Sequence, residues 1–228
     1  MSDEPRFAEL IARSGHELRS PLTSIKGFSS TLVKRWDRFT DEQRLQFIET
    51  IHADSERMGR IVSEVLDLAR AEVGHLELQL GLVNLPVSIK TVVDRYAEGP
   101  DVGRIEIDVP DGLNAWTDRD RFERSLDNLI ENACKFSTGR ISIVAERRGD
   151  STLVSVADQG DGIDPKHLPN LFLAPGPRGN KAPSGLGLGL MLSDRVLRAQ
   201  GASIAVDSRP HSGTTFTMTF PANGRDRA

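Results

Sequence analysis

Asn128-Leu129-Ile130-Glu131-Asn132-Ala133-Cys134-Lys135-Phe136-Ser137 is the stretch on which the fold turns. Phe122, Leu126, Leu129, Ala133 and Phe136 lie on one side of a helical pattern over 119–136, and Asp118 suits its N-cap. Asn128, Asn132 and Lys135 stand at i, i+4 and i+7 and form one adjacent stripe. Two asparagines inside a helix oppose local propensity, because their amides compete with the backbone. A solvated face would more naturally use Glu, Lys or Gln, whereas a ligand or metal would account for the amides. The stripe alone leaves both readings open.

Downstream, Arg140 to Arg147 and Thr152 to Ala157 read as a hairpin around Gly149-Asp150. Asp158-Gln159-Gly160-Asp161-Gly162-Ile163 follows at once. A carboxylate at a strand end, then two glycines, suits close approach of backbone to a planar ligand; a plain turn is the competing reading. A calcium loop fails, since positions 160, 162 and 169 carry Gly, Gly and Pro in place of oxygen side chains. Gly185-Leu186-Gly187-Leu188-Gly189-Leu190 then opens a helix reaching about Gln200. Glycines there let backbone amides cradle phosphates, although the spacing is neither a Walker loop nor a dinucleotide fingerprint. Ala202 to Asp207 and Thr214 to Phe220 are closing strands. Upstream, Leu76 to Leu80 alternates like a strand, Leu85 to Tyr96 is helical with Pro86 at its start, and Arg104 to Val109 and Ala115 to Thr117 are strands. The mixture predicts an α+β sandwich.

Residues 4 to about 36 are helical, interrupted by Gly15, Pro21 and Gly27, with Pro21 expected to kink the helix. Within it lies Ser14-Gly15-His16-Glu17-Leu18-Arg19-Ser20-Pro21-Leu22. The apolar stripe clusters around Leu18, so His16 is expected to face about 160–180° away, with Ser20 on the same outward face. Thr40-Asp41-Glu42-Gln43 is a capping box opening a second helix to about Val73, which Gly74 ends. Ile48, Ile51, Ser55, Met58, Val62, Val65 and Ala69 alternate three and four apart along it. Two long helices with a short connection make an antiparallel hairpin, and so wide an apolar surface predicts pairing of two hairpins into a four-helix homodimer. The boundaries are 1–74 for the hairpin, 75–221 for the sandwich and 222–228 for a polar tail.

Four motifs in this order resemble sensor histidine kinases of two-component systems. His16-Glu17-Leu18-Arg19-Ser20-Pro21-Leu22 is similar to their H box, and Asn128 to Ser137 to their N box. Asp158-x-Gly160-x-Gly162 and Gly185-x-Gly187-x-Gly189 are similar to their two glycine boxes. The resemblance covers about residues 6 to 221 and implies a GHKL-type, Bergerat-fold ATP-binding domain after the helical hairpin. It implies that Asp158, Gly160 and Gly162 meet adenine, that Asn132 holds Mg2+, and that Asn128 and Lys135 contact phosphates. Gly185, Leu186, Gly187 and Gly189 would underlie the triphosphate, Phe136 would line the same site, and 164–184 would be the ATP lid. The lid departs from the family: Leu171-Phe172 begins an F box, but its second aromatic and arginine are absent.

The resemblance further implies that His16 takes the γ-phosphoryl group with Glu17 as its acid–base partner, and passes it to an aspartate of a response regulator receiver domain. Ser20 would help dephosphorylate that partner, with Pro21, Leu22 and Ile25 as regulator contacts. Two rival readings remain, a GHKL-type ATPase without phosphohistidine and a non-catalytic dimeric scaffold. The 228 residues carry a net charge of -4, which argues against a nucleic-acid partner. No apolar run nears the ~20 residues that cross a bilayer. A cytoplasmic location is expected, as a core that can belong to a longer, membrane-anchored protein. Cys134, the one cysteine, fits a reducing compartment and reads as a small buried hydrophobe.

Overall fold

The computed structural model describes residues 4–72, 74–98, 101–173 and 188–221, with side chains from Ser14 onward except those of His16 and Glu72. The chain divides into two compact units that meet in sequence near residue 70.

The first unit holds two helices, α1 (Glu4–Arg35) and α2 (Asp41–Glu72), joined by a single 3-10 turn at Trp36–Arg38. Helix α1 runs unbroken through Pro21. The capping box forms as expected: Gln43 N–H donates to Thr40 Oγ1 at 3.3 Å, and Thr40 N–H to Gln43 Oε1 at 3.1 Å. At this end Phe47 stacks on Phe28 and meets Phe39 edge-on, while the Arg44 guanidinium covers the Trp36 ring. Phe28 with Phe47, then Glu17 with Arg57, step back along α1 and forward along α2, so the hairpin is antiparallel. Ser14, Pro21 and Leu32 of α1 and Ile61 and Leu68 of α2 are buried. The expected α2 seam splits. Ile51, Met58 and Val65 are half-buried, whereas Ile48 and Val62 stay exposed with Leu45 and Leu66. One partner helix covers only one side of a stripe this wide.

Helix α2 ends as the glycine signal implies. Gly74 adopts φ +71°, and His75 N–H reaches back to the Arg70 carbonyl at 2.9 Å.

In the second unit β1 (Leu80–Asn84) pairs antiparallel with β3 (Asn114–Asp118). The strand expected at Leu76 to Leu80 is therefore shifted toward the C-terminus. The reason is local: Gln79 N–H is taken by the Asp118 carboxylate at 2.7 Å, and the ladder begins only at Leu80 opposite Asp118. Helix α3 (Leu85–Val93) starts with Pro86 in its first turn under an Asn84 cap and tightens into a 3-10 turn to Tyr96. A second sheet has the order β2-β4-β5-β7-β6, from β2 (Ile105–Asp108), β4 (Ile141–Arg148), β5 (Ser151–Asp158), β6 (Ser203–Ser208) and β7 (Thr214–Pro221). Among the described strands of this sheet only β2 and β4 pair in parallel.

Helices α4 (Arg119–Phe136) and α5 (Gly189–Ala199) join α3 over one face of this sheet. Ile141, Ile143, Ala145, Val154, Val156, Phe216 and Met218 point inward against Phe122, Leu126, Leu129, Ile130 and Leu197. Alternate strand residues face solvent, the period-2 signature of a two-layer sandwich. Buried Gln200 ties the layers: its Oε1 accepts from Thr117 Oγ1 and Asp118 N–H, and Asp118 caps α4. Cys134 is half-buried against the core, and desolvation pushes its thiol up to about 11, which makes it an unreactive small residue.

Candidate functional site

At one end of the five-stranded sheet, β5 finishes at Asp158 between Ile141 of β4 and Thr214 of β7. The Asp158 carboxylate is half-buried and accepts Gly160 N–H at 2.7 Å. Burial raises its pKa above the ordinary carboxylate range, partly countered by backbone hydrogen bonds from Gly160 and Thr214. The glycines after it are sterically required. A Cβ at Gly160 would sit 2.3 Å from the Phe136 carbonyl oxygen. Gly162 adopts φ +69°, and a Cβ there would sit 2.0 Å from the Arg209 carbonyl oxygen.

The β6–β7 turn braces this loop. Gly213 N–H donates to Gly160 O, His211 N–H to Asp161 O, and Ile163 N–H to Ser208 Oγ. Ser208 Oγ also donates to Gly213 O and bonds with the Thr214 hydroxyl. Reading by sequence overlooked Ser208, Gly213 and Thr214. The turn signal Pro210-His211-Ser212-Gly213 before a β-branched strand was present, but nothing in it names the distant loop it holds.

Helix α4 supplies the neighbouring wall. Asn128 Nδ2 donates to Ser193 Oγ of α5 at 3.2 Å, and a Cβ on Gly189 would land 1.9 Å from Asn128 Oδ1. Glycine at 189 thus lets the start of α5 meet the asparagine stripe. Asn132 Nδ2 donates to the Asn128 carbonyl at 2.8 Å, which commits its nitrogen. Its Oδ1 is left as the end open to a cation. Both amides are half-buried, so the stripe is not a solvated face. The Lys135 ammonium lies 5.0 Å from the Phe136 ring, which is exposed. Among the described residues no group of three or more His, Cys, Asp or Glu forms a metal site.

Gly185, Leu186 and Gly187 lie outside the described residues, as do 174–184 of the expected lid. The start of the lid is described. Leu171 and Phe172 pack on the core, with Phe172 edge-on to Phe216.

The histidine stretch lies on α1 of the first unit. The backbone of His16 is helical, but its side chain lies outside the described residues. Glu17 is half-buried and accepts from Arg57 Nη2 of α2 at 3.1 Å. Ser20 is exposed, on a shallow depression also lined by Arg19, Thr23, Ser24 and Phe28. Pro21 is buried and Leu22 exposed.

Residues 8–74 match the His Kinase A (phospho-acceptor) domain, and residues 117–224 match the histidine kinase-, DNA gyrase B- and HSP90-like ATPase family. The alginate biosynthesis sensor protein KinB of Pseudomonas aeruginosa is 30% identical over 94% of this chain, and the match spans 37% of KinB. The solved structure of Acinetobacter baumannii histidine kinase AdeS is similar with a TM-score of 0.71 at 23% identity, over 91% of this chain and 98% of that one. Full-length ShkA in complex with AMPPNP is similar at 0.64 and 26% identity, over 94% of this chain and 45% of that one. The chain belongs to the sensor histidine kinases of two-component systems, with a phospho-acceptor domain followed by an ATPase-type domain. It spans between about a quarter and a half of the length of the curated relatives it matches. No helix among the described residues is long and apolar enough to cross a membrane.

Proposed function

We propose that this chain autophosphorylates His16 from ATP and passes the phosphoryl group to an aspartate of a response regulator receiver domain. One observation carries the proposal: a helix bearing His16-Glu17 shares a chain with a half-buried carboxylate, a Cβ-intolerant glycine loop and two half-buried asparagines. That set fits an adenine nucleotide. Asp158 would accept from the exocyclic amine, with Gly160 and Gly162 leaving room for the base. Asn128 and Lys135 would meet phosphate oxygens, and Phe136 and the Gly185–Gly189 segment would line the remainder. Asn132 Oδ1, whose amide partner is already engaged, would hold Mg2+. When bound, that ion offsets negative charge on the transferring group.

The neutral imidazole of His16 would attack the γ-phosphorus, forming an N–P bond as the bridging P–O bond breaks and ADP leaves. Imidazole titrates near ~6.5, so much of it is neutral near pH 7. Glu17 would take the proton from the other ring nitrogen. Exposed Ser20, one turn beyond His16 on the same helix, would help position the water that dephosphorylates the regulator. A homodimer is supported by the exposed apolar side chains Leu45, Ile48, Val62 and Leu66 along α2. ATP and a receiver domain are cytosolic reactants, so the core would act in the cytosol. The domain limits would be 1–74 and 75–221.

Labelling with γ-phosphate-labelled ATP tests the proposal. Acid-labile, alkali-stable label on the protein, lost in His16→Gln, is the expected result. Free phosphate without labelled protein would favour an ATPase instead, and neither product would favour a scaffold.

A further inference from the structure

The loop 137–140, which leads from α4 into β4, is gripped from outside the site by a single arginine. Arg104 precedes β2 and donates through Nη2 to the Ser137 carbonyl at 2.6 Å and through Nε to the Gly139 carbonyl at 3.0 Å. Its remaining terminal nitrogen, Nη1, pairs with the Asp101 carboxylate. All three guanidinium nitrogens are therefore engaged, and the side chain is 20% exposed. Its own carbonyl accepts Ile141 N–H at 2.8 Å, which fixes it to the start of β4. Helix C-termini leave carbonyls without intrahelical partners, and a cation is favoured there. Here the cation bridges two carbonyls just beyond α4, a geometry that the planar fork of arginine suits.

On its other side the same loop has no slack. Arg140 N–H donates to Gln159 Oε1, and a Cβ at Gly139 would lie 2.8 Å from that oxygen. The Phe136 carbonyl sits against Gly160, leaving no room for a Cβ. The loop is thus clamped between Arg104 and the Asp158–Gly160 turn. An outward shift of the loop would separate Phe136 from Gly160.

We infer that Arg104 is a positioning residue for the base end of the nucleotide site, holding loop 137–140 and Phe136 against the Asp158–Gly160 turn. The inference rests on the reading of Asp158 and Gly160 as adenine-binding. Arg104 touches no nucleotide; it acts through the two carbonyls.

Calorimetric titration of ATP and of ADP into the purified chain, with KM and kcat for His16 labelling, tests this on Arg104→Gln, Arg104→Lys and Gly139→Ala. Arg104→Gln is expected to raise the dissociation constants of ATP and ADP by the same factor, roughly tenfold, the scale of one lost charge-assisted hydrogen bond. Arg104→Lys keeps the charge without the fork and falls between it and wild type. Gly139→Ala, pushing the loop from the Gln159 side, weakens both nucleotides as well. KM rises while kcat at saturating ATP stays within about twofold. Unchanged affinities in folded Arg104→Lys and Gly139→Ala would overturn the inference even if Arg104→Gln unfolds. So would a loss confined to ATP, which would locate the effect at the γ-phosphate. If wild type binds neither nucleotide, the reading of the site fails and this inference falls with it.

Discussion

Glu17, next in sequence to His16, is bound through its carboxylate to Arg57 across the hairpin, with Nη2 to Oε2 at 3.1 Å. Adjacent helix positions diverge by about 100°, and the Glu17 carboxylate is drawn toward α2. To accept an imidazole proton it would either release Arg57 or use Oε1 while Oε2 stays paired. The ion pair and the proposed proton transfer compete for one carboxylate. Arg57→Gln is therefore expected to raise the single-turnover rate of His16 labelling several-fold, with KM for ATP unchanged. The stability cost is small, at most about 1 kcal/mol for a pair that water still reaches. A slower rate with unchanged fold would show that Arg57 orients the carboxylate for the reaction.

Gly189→Ala brings a methyl group onto the Asn128 amide, its carbon 1.9 Å from Oδ1 if nothing shifts. Either the Asn128 side chain rotates away or α5 moves at its first turn, and in both cases the Asn128–Ser193 hydrogen bond is strained or lost. A loss of about 1–3 kcal/mol is expected in denaturant unfolding, in line with overpacking. Nucleotide affinity should fall with it. An alanine variant with wild-type stability and affinity would mean that α5 has freedom the packing does not reveal.

Asp158→Asn separates stability from binding. Burial raises the pKa of this carboxyl, so its charged form is disfavoured in the folded chain. That penalty is present above the folded-state pKa and disappears below the unfolded value of ~3.9. Asparagine should thus melt higher than wild type near pH 7, with the advantage shrinking as pH falls toward 4. Affinity for ATP should drop roughly 10–100-fold as a charge-assisted hydrogen bond to the base is lost. Thermal melts at several pH values, paired with calorimetry, check both signs.

Ser88 lies fully buried in α3, and its hydroxyl has no hydrogen-bond partner among the described residues. Alanine removes a desolvated polar group and little volume. Ser88→Ala should be neutral to stabilising, by up to about 1 kcal/mol in chemical denaturation. A destabilisation beyond that would imply a buried water bonded to Oγ.

Much of this fold is local and was legible from residue order. The Thr40–Gln43 capping box, the Asp118 cap, the Gly74 stop and the Gly149-Asp150 hairpin turn each depend on contacts within a few residues. Asp158, Gly160 and Gly162 stood out in the sequence as a strand-end carboxylate followed by spaced glycines, a pattern that also suits a plain turn. The structure places them in a loop where a Cβ at either glycine would clash. The first strand was misjudged because Gln79 commits its amide to Asp118, a residue distant in sequence. The α2 seam divided for a similar reason, since periodicity marks apolar positions without saying which neighbour covers them.

By itself, then, the sequence determined most of the helices and strands and which short motifs resemble those of sensor histidine kinases, since caps, periods and glycine spacing act over one or two turns. Only tertiary structure decided what holds those motifs in place. Gly189 against Asn128, Ser208 and Gly213 behind the glycine loop, and Arg104 behind the α4–β4 loop are all contacts across large sequence separations. Such contacts arise from packing and from the need to satisfy buried polar groups, and no local pattern encodes their partners.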